Sequence, residues 1–284
     1  MPGFARASDL RVLLAALGLV LGAAMPARAE APKRVASMNL CTDQLAMLIA
    51  APGQLVSVSN LASRAEMSAM AEEAARYPVN HGRAEELYLL APDIVLADVW
   101  SSPATVSMLR RLGVEVVQFT PGASMAEIRD NIARMGEVLG QEARAEEILA
   151  AFDGRLADLT ADVPAHRPRA AIYGPSGYTY GPNTLAGQIL LAAGFDNIAS
   201  ELGLDWGGTL PLESLIMAAP DLVIASRRER GATSRSEEIL GHPALRGLRR
   251  GGALTDESWA CATPFVLEAV ADLIHVRHEL EAEG

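Results

Sequence analysis

The residues of this chain that could do covalent or metal chemistry are two cysteines, one carboxylate beside the first of them, and five histidines, and their spacing favours none of it. Cys41 and Asp43 lie close together, but no histidine accompanies them locally, and an activated nucleophile needs a base within hydrogen-bond reach. Cys41 and Cys261 lack the CxxC spacing of a redox or metal motif. His81, His166, His242, His275 and His278 are scattered. His275 and His278 share a helix face, but beside a charged C-terminus, where a solvated end outweighs a zinc site. GxSxG, HExxH, Walker A and GxGxxG patterns are all missing. The aromatic residues point instead to non-covalent capture. Trp100, Trp206 and Trp259 fall in loops, Trp100 and Trp259 just after strands; Tyr178 and Tyr180 follow the strand AAIYG, and Asn39 and Leu40 follow the first strand. For any one of them the plain alternative is a loop anchor. Together they sit at the carboxyl edge of an open α/β sheet, where ligands bind, and predict an aromatic-lined cleft for a bulky organic molecule.

A second set of residues is marked by repetition. EELYLLAPDIVLA at 85–97 recurs as ESLIMAAPDLVIA at 213–225, with Glu85/Glu213, Leu87/Leu215, Ala91/Ala219, Pro92/Pro220, Asp93/Asp221, Val95/Val223 and Ala97/Ala225 identical. Self-similarity at so long a separation predicts two similar lobes rather than a solenoid. Glu85 and Glu213 begin helices that precede strands, which places both carboxylates at the ligand edge of their sheets. A first-turn acid stabilised by the helix dipole is the plain alternative, but it does not account for the match between copies.

The elements that must position these residues alternate in type. Strands are predicted at 34–37, 55–59, 93–97, 114–119, 170–174 and 252–255, with helices at 42–51, 103–112, 184–194 and from Phe265 onward, and a polar helical stretch at 63–76. Strand–helix alternation at this rhythm means βαβ units and a mainly parallel sheet flanked by helices. From Ser124 to Ala161 there is neither strand signal nor proline, and two apolar stripes lie on either side of Gly140. That segment reads as a long, rigid helical connector. The expected organisation is an α/β lobe at 30–123, a connecting helix at 124–161 and a second α/β lobe at 162–284.

Residues 1–29 read as a secretory signal peptide: Arg6 and Arg11, an apolar run from Val12 to Met25, then Ala27-Arg28-Ala29 as the cleavage site. Cleavage after Ala29 is expected, with a periplasmic product. The formal net charge of −11 argues against nucleic acid and anionic lipid as partners. An oxidising compartment permits a Cys41–Cys261 disulfide, though sequence does not bring their Cα atoms together.

RVASMNLCTDQL, the G-x-x-x-E-x-x-x-x-x-x-P-D-I-V-L-A run at 82–97, the long helical segment and the second E-x-x-x-x-x-x-P-D-L-V-I-A together resemble the periplasmic binding proteins of iron-siderophore and vitamin B12 importers. The likeness covers essentially the whole chain after the signal. It implies two α/β lobes joined by one backbone helix, little hinge motion, and delivery of an iron chelate or corrinoid to an inner-membrane ABC permease. It also implies that Glu85 and Glu213 pair with permease arginines. On this reading the protein is a monomer without catalytic residues or a resident cofactor or metal, any Fe or Co arriving with the ligand. The cleft residues are Asn39, Leu40, Asp98, Trp100, Tyr178, Tyr180, Trp206, Arg227 and Trp259. The chain departs from the cobalamin-binding members in having Asp98, with Trp100 two residues on, directly after the first repeat's strand, and in its NLC and WAC segments. Corrinoid, siderophore and haem therefore stay open as ligands. An anionic ferric siderophore would call for arginines, and Arg227, Arg228 and Arg230 follow the second repeat's strand. Rival readings are a secreted enzyme using Cys41 or Asp43 in the cleft, and a periplasmic sensor or adaptor.

Overall fold

The computed structural model describes residues 31–225, 234–248, 250–253 and 257–283. Its first half runs β1 (Val35–Ser37), α1 (Leu40–Ile49), β2 (Leu55–Ser59), the single turn α2 (Ala71–Ala74), β3 (Val79–Asn80), α3 (Ala84–Leu89), β4 (Ile94–Asp98), α4 (Pro103–Arg111) and β5 (Glu115–Phe119). Helices α5 (Met125–Leu139) and α6 (Glu142–Thr160) follow. The second half comprises β6 (Arg169–Tyr173), β7 (Tyr178–Thr179), α7 (Leu185–Ala192), β8 (Asp196–Asn197), the turn α8 (Ile198–Glu201), β9 (Gly208–Thr209), α9 (Leu212–Ala218), β10 (Leu222–Ala225), β11 (Arg250–Ala253) and α10 (Val266–Glu283).

The strands form two parallel sheets ordered β3-β2-β1-β4-β5 and β8-β6-β10-β11, plus the antiparallel pair β7-β9. Apart from the extra edge strand β3, the two parallel sheets share one order, so the duplication seen in the repeat extends to topology. Val35 pairs with Ile94 in the first sheet, and Ala170 pairs with Leu222 in the second. That register makes Arg34 and Arg169 equivalent, a correspondence outside the repeat itself.

Strand residues alternate between two cores because successive side chains point to opposite faces. Val35, Ile94 and Leu96 of the first sheet and Ala170, Ile172, Leu222 and Ile224 of the second enter one continuous core with α1, α5, α6, α7 and α10. The intervening residues enter private cores: Ala36, Val95 and Ala97 pack with Leu87 of α3 and Leu109 of α4, whereas Ala171, Tyr173 and Val223 pack with Leu212 and Leu215 of α9. The halves are thus joined through a shared interior, and residues from Pro32 onward form one compact unit.

The connector differs from a single rod. Ser124 caps α5 by accepting from the Glu127 amide (3.2 Å), and Gly140, in the left-handed conformation (φ 64°), ends it. Only a residue without Cβ takes that conformation cheaply. The chain then doubles back: Arg129 of α5 pairs with Asp153 of α6, and its guanidinium lies over the Phe152 ring at 5.5 Å. The long helix between the halves is therefore α6 alone, with α5 folded against it. The helix expected over 63–76 shrinks to α2. Ser68 Oγ accepts from the Met70 amide (3.2 Å) and Ser63 Oγ donates to the Asn60 carbonyl, local bonds that compete with helix.

Candidate functional site

A cavity of about 590 Å³ opens at the carboxyl edges of both sheets. Asn39 after β1, Asp98 at the end of β4, the Phe119–Gly122 segment closing β5, Tyr178 and Tyr180 after β6, and Trp259 before α10 all border it. The strand ends deliver these side chains because parallel strands all finish on one edge. Tyr178 and Tyr180 meet edge to face, with centroids 5.1 Å apart and planes at 78°. The β7–β9 pairing holds Tyr178 opposite Thr209, and Asn197 Nδ2 donates to the Tyr180 carbonyl (2.8 Å). Burial, and secondarily Tyr178, pushes the Tyr180 phenol above its ordinary pKa, so it stays a neutral donor.

Asp98 is engaged from three sides. Its Oδ2 accepts from Asn39 Nδ2 (2.8 Å), and its Oδ1 accepts from Ser101 Oγ (2.7 Å) and the Trp100 amide (3.1 Å). Asn39 Oδ1 in turn accepts from the Cys41 amide (2.9 Å), capping α1. With few lone pairs left over, Asp98 serves to orient Asn39 and the start of α1. Glu66 is the other carboxylate at the cavity, and no lysine or arginine lines it among the described residues.

The loop before α10 is fastened to the first half around this cavity. Cys41 and Cys261 form a disulfide, with Cα atoms 5.2 Å apart. Thr263 Oγ1 donates to Gln44 Oε1 of α1 (3.3 Å). A Cβ on Gly122 would lie 2.7 Å from Cβ of Ala262, so the close approach of these two loops requires glycine there. Trp259 stands two residues before the disulfide, so the covalent tie helps set where its ring lies.

Five of the nine cleft residues expected from sequence meet at the cavity: Asn39, Asp98, Tyr178, Tyr180 and Trp259. Leu40 does not, because as the first residue of α1 it turns inward and is buried. Trp100 and Trp206 project into solvent, 80% and 70% exposed, because their loops direct the rings away from the cavity. Arg227, Arg228 and Arg230 lie outside the described residues. Sequence reading missed Glu66, Met67, Asn131 and the Phe119–Gly122 segment. The last followed from the edge rule applied to β5; the others are brought in by loop and helix packing, for which no local signal exists.

The two residues that an enzyme would have used are otherwise occupied. Cys41 is half of the disulfide. Asp43 is fully buried away from the cavity, accepting from the Ser59 amide (3.1 Å) and hydroxyl (2.5 Å). Burial raises its pKa to about 6, against the opposing effect of its hydrogen bonds from Ser37 and Ser59. Among the described residues no group of three His, Cys, Asp or Glu side chains could hold a metal, and no helix is long and apolar enough to cross a membrane.

Glu85 and Glu213 lie on the first turns of α3 and α9 and are exposed; neither lines the cavity. Their helices are held alike. Arg34 donates to the carbonyls of Leu90 (2.7 Å) and Ala91 (3.1 Å), and Arg169 to those of Ala218 (2.9 Å) and Ala219 (3.4 Å). Asp93 accepts from the amides of Lys33 and Arg34, and Asp221 from that of Arg169. Ala91 and Ala219 both take positive φ (45° and 44°). A following proline disfavours right-handed helix, and the arginine bonds offset a local cost of about 1 kcal/mol.

The sequence profile of the periplasmic binding protein family matches residues 35–249. Cobalamin-binding proteins from two strains of Halobacterium salinarum are 28% identical over 197 residues, 68% of this chain and 53% of theirs. The chain thus spans about half the length of the curated relatives it matches. Among solved structures, a possible iron-binding periplasmic solute-binding protein from Staphylococcus epidermidis superposes with a TM-score of 0.71 at 19% identity, covering 87% of this chain and 98% of that one. The periplasmic heme-binding protein of Roseiflexus sp. RS-1 gives 0.70 at 21% identity, with the same coverage. The periplasmic vitamin B12 binding protein of Vibrio cholerae gives 0.66 at 18%, covering 88% and 98%. At these identities the structures speak to the fold.

Proposed function

Since this chain belongs to the periplasmic binding protein family, we propose that it is the substrate-binding component of an ABC importer, capturing a corrinoid and handing it to a permease. The observation that carries the reading is the cavity at the sheet edges, where Tyr178, Tyr180 and Trp259 offer apolar faces beside Asn39. Aromatic faces plus a few fixed polar groups suit a large, largely neutral ring system. The carboxylates of Glu66 and Asp98 at the lining disfavour a polyanionic ferric siderophore. The cobalamin-binding relatives support the same choice. The charged start, apolar run and Ala27-Arg28-Ala29 support export to the periplasm. The protein acts by capture and release, as a monomer, with Glu85 and Glu213 facing permease cations, and the metal belongs to the ligand.

Calorimetric titration of the purified protein with cyanocobalamin, haem and a ferric catecholate tests this. Saturable one-to-one binding of cyanocobalamin tighter than about 1 μM is expected. Binding of haem or the ferric chelate alone replaces the corrinoid by that ligand, and binding of none rejects the importer reading.

A further inference from the structure

In both halves the repeat helix carries apolar side chains that the fold leaves uncovered. On α3, Leu87 is buried while Tyr88 is 47% and Leu89 83% exposed. On α9, the equivalent Leu215 is buried while Ile216 is 40% and Met217 85% exposed. Residues three and four positions on from a helical residue share its face. Tyr88 and Leu89 therefore stand beside Glu85, and Ile216 and Met217 beside Glu213. A single exposed leucine needs no explanation. An acid followed by two uncovered apolar residues, at matched places on two matched halves, does. The side chains differ between copies, Tyr for Ile and Leu for Met, but size, apolarity and exposure are kept. The arginine and aspartate bonds described above pin both helices, so the stripes are presented in fixed orientation.

We propose that Tyr88/Leu89 and Ile216/Met217 are twin docking anchors for a membrane permease that presents, at two symmetry-related places, a cation ringed by apolar side chains. The proposal rests on the importer reading and adds to the two acids the residues that hold the complex. Two equivalent stripes call for a partner with two equivalent receptors, as a two-fold dimer provides. The carboxylates call for cations, as does the net charge of −11. A second copy of this chain would set carboxylate against carboxylate. The labour divides accordingly: the acids steer encounter, and the apolar anchors, desolvated on contact, govern dissociation.

Photo-crosslinking in the native host, with p-benzoylphenylalanine at 89 or at 217, tests the surface. The same multi-spanning membrane polypeptide is expected in the adduct at both positions, and none at position 202, where Leu202 is 41% exposed but off the stripes. Adducts only with a second copy, with unrelated proteins at the two positions, or equally at 202 would overturn the proposal. As a second readout, Leu89→Ser combined with Met217→Ser should slow uptake of cyanocobalamin at least tenfold while its calorimetric affinity stays unchanged; undiminished uptake overturns the anchors. A wild-type protein that binds neither cyanocobalamin, haem nor a ferric catecholate strikes at the importer reading, whereas intact binding without crosslinks strikes at the stripes alone.

Discussion

At the scale of single residues, the cavity separates groups that face a ligand from groups that hold those groups in place. Trp259 and Tyr180 border the cavity, and truncating either to alanine should raise the corrinoid Kd about tenfold or more, measured by calorimetry. Asp43 does its work in the interior. Its folded pKa, about 6, lies above the ordinary 3.8. Between these values the native state keeps a proton that the unfolded chain releases, so stability falls as pH rises through that window, by roughly 3 kcal/mol in all. Asp43→Asn retains an acceptor for Ser59 and removes the dependence. In urea melts at successive pH values from 4 to 7, the variant should gain on the wild type as pH climbs; a constant gap would contradict the assignment. Residue positions were legible where a strand end dictates them, as for Asn39, Tyr180 and Trp259. Ring direction was not, and Trp100 and Trp206 show why: their place in a loop is set by local sequence, but where the ring points depends on what the rest of the chain packs against.

At the scale of elements, alternation and punctuation revealed the parallel sheets, whereas contacts between distant segments stayed hidden. Gly140 was visible as a break between two apolar stripes, yet the doubling back of α5 on α6 depends on Arg129 meeting Asp153 and Phe152. The equivalence of Arg34 and Arg169 emerges only from strand register. The Cys41–Cys261 link had no determinable geometry in sequence, because the cysteines are 220 residues apart. Closing so long a loop restricts the unfolded chain, and replacing both cysteines with alanine should lower stability by about 2–4 kcal/mol, read as a shift in the urea midpoint at constant slope. Because the link also fixes the Trp259 loop, the same variant should bind ligand more weakly even below its unfolding transition, a loss that a purely global effect would not produce.

At the scale of the whole molecule, the two halves share one interior while each keeps a private core beneath its repeat helix. A shared core resists wide opening, since parting the halves would expose apolar surface at about 25 cal/mol per Å². On the proposed importer role, ligand occupancy is passed on by modest adjustments rather than by a large hinge. Glu85→Lys with Glu213→Lys should abolish uptake while changing ligand affinity less than about twofold, because charges at such an interface act on encounter and orientation. The central claim is that the aromatic cavity holds a corrinoid, and visible absorption after gel filtration tests it most directly. Purified protein mixed with cyanocobalamin should elute with the corrinoid spectrum in one-to-one ratio, and Trp259→Ala should elute largely without it. A colourless wild-type peak, or equal retention by Trp259→Ala, would contradict the account.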